Sequence, residues 1–129
     1  MNTKDNSILA LRGGALGNVS DASKPEEQFQ NQTLRPILKV QNDLFLAVFK
    51  NYLIKQKIDF NSLSPEKKMM CIDQAIQRDI KFRNILKGIV IGFFTLEEFE
   101  TYIQNSSNLN KRMMNLLVER LKSQLQLLD

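Results

Sequence analysis

Residues 64–92, SPEKKMMCIDQAIQRDIKFRNILKGIVIG, decide how this chain is read. The stretch opens on Ser64, whose hydroxyl suits an N-cap because early helical N–H groups have no backbone partner. Pro65 follows at the first helical position, where a missing N–H costs nothing. Glu66 sets a negative charge at the positive end of the helix dipole. Met69, Ile72, Ile76 and Ile80 then recur at steps of three and four, which places them on one face. The same steps continued reach Arg83 and Lys87. Phe82, Ile85, Leu86 and Ile89 lie roughly a third of a turn round at about 100° per residue. The spacing therefore predicts one long helix whose buried face rotates, or which is touched on two sides. Gly92 closes it as a left-handed terminator, with Asp79 and Arg83 paired four apart on its surface. Gly88 leaves room for another helix to approach.

Upstream, residues 59–63, DFNSL, read as a turn with Phe60 and Leu63 folded onto the core. Pro25-Glu26-Glu27 reads as a helix start. Pro36 removes a donor and disfavours helical geometry at Arg35, which predicts a break or kink near 33–35 and a better helix from there to about Gln56. Its stripe is Leu34, Leu38, Gln41, Phe45, Val48 and Tyr52, with Gln41 the one polar member. Downstream, Thr95 and Glu98 form a capping box, and Phe94 and Phe99 occupy the positions of a hydrophobic staple. A short helix over 96–104 follows, then a polar turn with Ser106 or Ser107 as N-cap. The last helix, about 109–127, carries Leu109, Met113, Met114, Leu117, Leu121 and Leu128, a stripe wide enough to touch more than one neighbour. Alternation of the kind a strand needs never persists. The expected fold is all-α, a bundle of four to five helices over residues 25–129.

Residues 1–24 read as a flexible tail, because Gly13, Gly14, Gly17, Asn18, Ser20, Asp21 and Ser23 break any periodicity. The alternative there is a short helix over 8–12 that docks on a partner or a sister subunit. A net charge of +4 permits an anionic partner without demanding one. The run ILAL is too short for a signal-peptide core, and IVIGFF is far short of a membrane span. One cysteine, Cys71, allows no intramolecular disulfide and suits a reducing compartment; its simplest role is as a small buried hydrophobe. The expected location is the cytoplasm, with no membrane contact.

The chain has no histidine, which removes the histidine-based catalytic triads and metal sites. No phosphate-cradling glycine loop is present. Neither a catalytic residue, a cofactor nor a metal is expected. Glu97, Glu98 and Glu100 crowd one helix start and read as dipole-favoured charges. Two polar groups are candidates for binding an anion or a partner: Arg83, Asn84 and Lys87, and Asn110, Lys111 and Arg112 at the start of the last helix. If they converge they form a pocket for a phosphate or carboxylate. Otherwise the basic side chains lay their stems on the core and extend their charges to water. Residues 95–112 have a helix-turn-helix flavour, but three glutamates on the first helix would repel phosphates.

The segments LRPILKVQNDLFLAVFKNYL, QRDIKFRNILKGIVIGFFTLEEF and NSSNLNKRMMNLL together resemble a family of small bacterial helical proteins, some of which carry the label "glyoxalase". The resemblance covers about residues 26–128. It implies an all-helical fold. The label implies a divalent metal held by histidines and glutamates on a β-rich fold; this histidine-free chain departs from that pattern, so no site residue carries over. The function expected from the residues is non-enzymatic protein–protein interaction, with self-association. The alternatives are an anionic ligand or nucleic acid on the basic residues above, and an enzyme of the glyoxalase label.

Overall fold

Seven helices follow one another in the computed structural model, which describes residues 2–17 and 24–129. They are α1 (Thr3–Arg12), α2 (residues 25–40), α3 (Asn42–Lys55), α4 (Pro65–Arg78), α5 (Ile80–Ile91), α6 (Leu96–Ile103) and α7 (Ser106–Lys122). Among the described residues there is no strand. The all-α class is as expected, but four to five helices was too few. Two predicted helices divide, and a third forms where a tail was expected. Residues 18–23, part of that tail, lie outside the described residues.

The first division falls at Asp79, inside the stretch read as one helix. Its backbone is extended (φ −84°, ψ 100°), and its carboxylate accepts from the Phe82 N–H at 3.1 Å and from the Tyr52 hydroxyl at 3.1 Å. Asp79 is thus the N-cap of α5 and is not an ion-pair partner of Arg83. The rotated apolar face has its cause here, since α4 and α5 each bury their own stripe. Ile72 and Ile76 are fully buried in α4, and Phe82, Leu86 and Val90 are buried in α5, while Ile80 at the joint is 71% exposed. Gly92 ends α5 in right-handed geometry (φ −59°), and a side chain at Gly88 would meet nothing within 4 Å, so neither glycine does what its position suggested.

The second division falls at Gln41, the polar residue in the apolar stripe. It forms a one-residue joint between α2 and α3 (φ −96°, ψ 10°). Pro36 is absorbed without a break, because a π turn over Gln30–Leu34 precedes it. The Arg35 N–H bonds Gln30 O, one residue further back than an α-helix would choose, and Pro36 has no N–H at all. The carbonyls of Asn31 and Gln32 therefore lose their usual donors. Both are taken up by the N-terminal segment, Asn31 O by the Leu16 N–H at 2.8 Å and Gln32 O by Arg12 Nη2 at 3.1 Å. Gly17, at φ +99°, lies so close to Asn31 that a Cβ there would come within 2.8 Å of the Asn31 side chain.

Residues 2–17 are accordingly part of the fold, which corrects the tail reading for them. Asn2 caps α1, and Asp5, Ile8 and Arg12 form its buried face. Asp5 Oδ2 accepts from the Leu96 N–H at 3.2 Å, supplying a partner to the start of α6. The helix docks on its own chain, where a partner or sister subunit had been the alternative.

Helix α7 lies against α2, α4, α5 and α6 and buries seven side chains between Leu109 and Leu121. It starts at Ser106 with Asn105 as N-cap, a few residues earlier than the sequence predicts. At the end of α3 the Ile58 N–H reaches Leu53 O and the Lys57 N–H reaches Ile54 O, the paired bonds of a Schellman cap. Lys57 holds the left-handed position of that cap at φ +56°, where glycine is the usual residue. Lys57→Gly should therefore stabilise the fold by up to ~1 kcal/mol, read as a higher denaturation midpoint. A lower midpoint would contradict this cap geometry.

Candidate functional site

The candidate residues divide between two settings. Arg83 and Lys87 are half-buried on α5 and Asn84 is exposed, and none of them forms an ion pair among the described residues. The other three stand at the start of α7. Asn110 Oδ1 accepts from the Tyr102 hydroxyl at 2.5 Å, Arg112 Nη1 donates to Gln30 Oε1 at 3.0 Å, and Lys111 is exposed. Asn110 and Arg112 thus tie α7 to α6 and α2, while Arg83 and Lys87 lie on another helix. The capping box forms as expected, with Glu98 N–H on Thr95 Oγ1 at 3.2 Å and Thr95 N–H on Glu98 Oε1 at 2.8 Å. The helix-turn-helix comparison puts α7 in the place of the groove-reading helix, yet α7 is deeply packed in the bundle.

A cleft of about 430 Å³ opens between α3 and α5, beside the Asp79 joint. Buried Phe82 and half-buried Val48 and Tyr52 form its floor, and exposed Ile85, Lys55 and Lys81 stand along its edges. The Tyr52 and Phe82 rings stack with centroids 4.1 Å apart. Burial, the hydrogen bond to Asp79 and the neighbouring charges all push the Tyr52 hydroxyl above its ordinary pKa, so it stays a donor to Asp79. Arg83 and Lys87 point to the other flank of α5. At 100° per residue they fall more than a quarter-turn from Lys81, Phe82 and Ile85.

On α6 the apolar pattern faces the wrong way for a core helix. Tyr102 is its one buried residue, while Leu96, Phe99 and Ile103 are 65%, 41% and 54% exposed. Their spacing of three and four puts them on one ridge. Phe99 does not close a staple with Phe94. The Phe94 ring packs edge-on against Phe29 and Tyr102 instead, at 5.5 and 5.4 Å. Glu97 and Glu100 are exposed on the same helix.

No known family, curated protein or solved structure matches this chain. The likeness to helical proteins labelled "glyoxalase" therefore has no family match behind it. Among the described residues, no group of three or more His, Cys, Asp or Glu side chains is placed to hold a metal, and no helix is long and apolar enough to cross a membrane.

Sequence reasoning missed the ridge because it assigned Phe99 to the staple. The missed signal was Leu96, Phe99 and Ile103 sharing a face with no second apolar face opposite. It missed the cleft because Tyr52 and Phe82 were both assigned to core stripes. The odd behaviour of the 64–92 pattern at Asp79 was the available clue.

Proposed function

We propose that this protein is a non-enzymatic helical module that works by binding protein, and that its partner is a second copy of the chain. The observation that carries the reading is the exposed ridge of Leu96, Phe99 and Ile103 on α6. A contiguous row of large apolar side chains in water is costly unless something covers it. The charges favour a particular occupant. Ridge against ridge would bring Glu97 and Glu100 of two copies together. Ridge into the α3–α5 cleft instead sets those glutamates near Lys55 and Lys81, over an apolar floor. Such a contact is heterologous, so it builds rings or open chains. Three side chains fall short of the ~800 Å² per partner of a standard interface, so the association is weak and depends on concentration. Burial raises the pKa of the single cysteine, Cys71, which keeps it a quiet thiol and suits the reducing cytoplasm.

Sedimentation velocity on the full chain at two concentrations tests this. The wild type should sediment faster at the higher concentration, and Phe99→Glu should remain monomeric at both. Glu97→Lys/Glu100→Lys and Lys55→Glu/Lys81→Glu should each be monomeric alone and associate when mixed. A wild type that is strictly monomeric, or an association that Phe99→Glu leaves intact, refutes the proposal.

A further inference from the structure

Four arginines in this fold stand in two contrasting settings. Arg12 is buried and neutralised by Glu98 through two bonds, at 2.5 and 2.7 Å. Arg35, Arg112 and Arg120 are half-buried along the groove between α2 and α7, and none has a carboxylate partner among the described residues. Each is held by a neutral side-chain amide. Arg35 Nε donates to Asn31 Oδ1 at 2.9 Å, Arg112 Nη1 to Gln30 Oε1 at 3.0 Å and Arg120 Nη1 to Asn42 Oδ1 at 3.3 Å. The amides orient the guanidinium groups without cancelling their charge, and most of the five donors on each remain for something else.

The groove consists of two adjoining clefts of about 330 and 400 Å³ that share Arg35, Leu116 and Glu119. Glu119 is the acidic residue of the groove, and it is exposed and forms no ion pair among the described residues. Three cations against one anion leave the groove positive. Arg112 and Arg120 are two helical turns apart on α7, ~12 Å, with Arg35 facing them from α2. Burial, and after it the nearby Arg35 charge, lower the pKa of Arg120.

We propose that the α2–α7 groove binds a short chain of phosphoryl groups, such as a tripolyphosphate or the triphosphate of a nucleotide, with Arg35, Arg112 and Arg120 as its ligands. Guanidinium groups match phosphoryl oxygens in pairs, and a span of two turns suits several linked phosphates better than a single one. No aromatic side chain lines the two clefts, so a nucleic acid strand would find no stacking platform there. This site is separate from the association surfaces proposed above and stands without them.

Calorimetric titration of the full chain with sodium tripolyphosphate, ATP and a single-stranded oligonucleotide at low salt tests the proposal. Tripolyphosphate should bind, and Arg35→Gln/Arg120→Gln should weaken it at least tenfold, while Lys4→Gln, an exposed charge on α1 outside both proposed surfaces, leaves it unchanged. Equal affinity for ATP assigns recognition to the phosphoryl chain alone, and tighter binding of ATP adds the nucleoside. A thermal melt supplies a readout independent of ligand. Relief of repulsion should leave the unliganded double variant at least as stable as the wild type, whereas a purely structural role for the arginines would lower its melting temperature and overturn the assignment. It is equally overturned if tripolyphosphate fails to bind, if the double variant binds it normally, or if the oligonucleotide binds more tightly through the same arginines.

Discussion

Arg12→Ala should destabilise the protein by ~3–5 kcal/mol, the cost of leaving a buried charge without its partner. The Arg12 and Glu98 side chains are 2% and 18% exposed, and Arg12 also donates to Gln32 O and to Phe93 O. Glu98 in turn accepts from the Thr33 hydroxyl at 2.7 Å and from the Thr95 N–H. One guanidinium thus joins α1, the π turn of α2, the end of the α5–α6 connection and the first turn of α6. Burial raises the Glu98 pKa, but the hydrogen bonds from Arg12, Thr95 and Thr33 and the Arg12 charge outweigh it, so the net direction is down. The group therefore contributes stability above the unfolded carboxylate range, near 4.3, and loses it only as pH falls through the lower folded value. Without Arg12 two of the causes that lower the pKa are gone and burial weighs more heavily against the charged form. The gap between variant and wild type should be widest near neutrality and narrow below pH ~4. Urea denaturation at several pH values measures this. An unchanged midpoint at pH 7 would mean that residues 2–17 behave as the loose tail their composition suggested. Glu98→Gln should also be costly, and the double variant should lose less than the two single losses added, because each removes the same contact.

The same residues show what was legible in the sequence and what was hidden. Caps were legible, because Ser64 and the Thr95–Glu98 box act within one turn of chain and their partners are backbone groups a few residues away. The α7 stripe was legible for the same local reason. Its apolar positions repeat at helical spacing, and Leu109, Met113, Met114, Leu117 and Leu121 are all buried. What failed was anything set by a distant partner. Asp79 inside a helical pattern reads as a surface charge until the Tyr52 hydroxyl, 27 residues earlier, is known to meet it. Arg12 among glycines reads as solvent-exposed until Glu98, 86 residues later, is placed beside it. Pro36 reads as a helix break because the π turn and the two borrowed donors that accommodate it lie partly in the N-terminal segment. The choice of candidate cations shows a related limit. Periodicity drew attention to Arg83 and Lys87 for standing in a predicted apolar stripe, and that stripe belonged to a helix that ends before them. Arg35 and Arg120 drew none, since an arginine on a polar helical face is ordinary until two helices bring such faces together.

Phe49→Ala should cost ~3–5 kcal/mol, because truncating a buried phenylalanine removes its transfer energy and leaves a cavity. Phe49 is fully buried on α3, with the rings of Tyr52, Phe60 and Phe82 at 6.1, 6.0 and 6.1 Å. Those three rings come from α3, from the turn before α4 and from α5, so one side chain links elements that the Asp79 joint would otherwise let move apart. Against a total stability of roughly 5–15 kcal/mol the loss is a large share. Equilibrium denaturation should show a lower midpoint with an unchanged slope, since the surface exposed on unfolding hardly alters. Phe49→Leu keeps most of the volume and should lose less, near ~1–1.5 kcal/mol. The two variants also separate stability from binding. Tyr52 and Phe82 form the floor of the α3–α5 cleft and rest on Phe49 from behind. Folded Phe49→Ala should therefore associate more weakly than folded wild type at equal concentration, while Phe49→Leu should associate nearly as well. Equal association by all three would mean that the cleft floor does not depend on the ring beneath it, and that the ridge of α6 seats elsewhere.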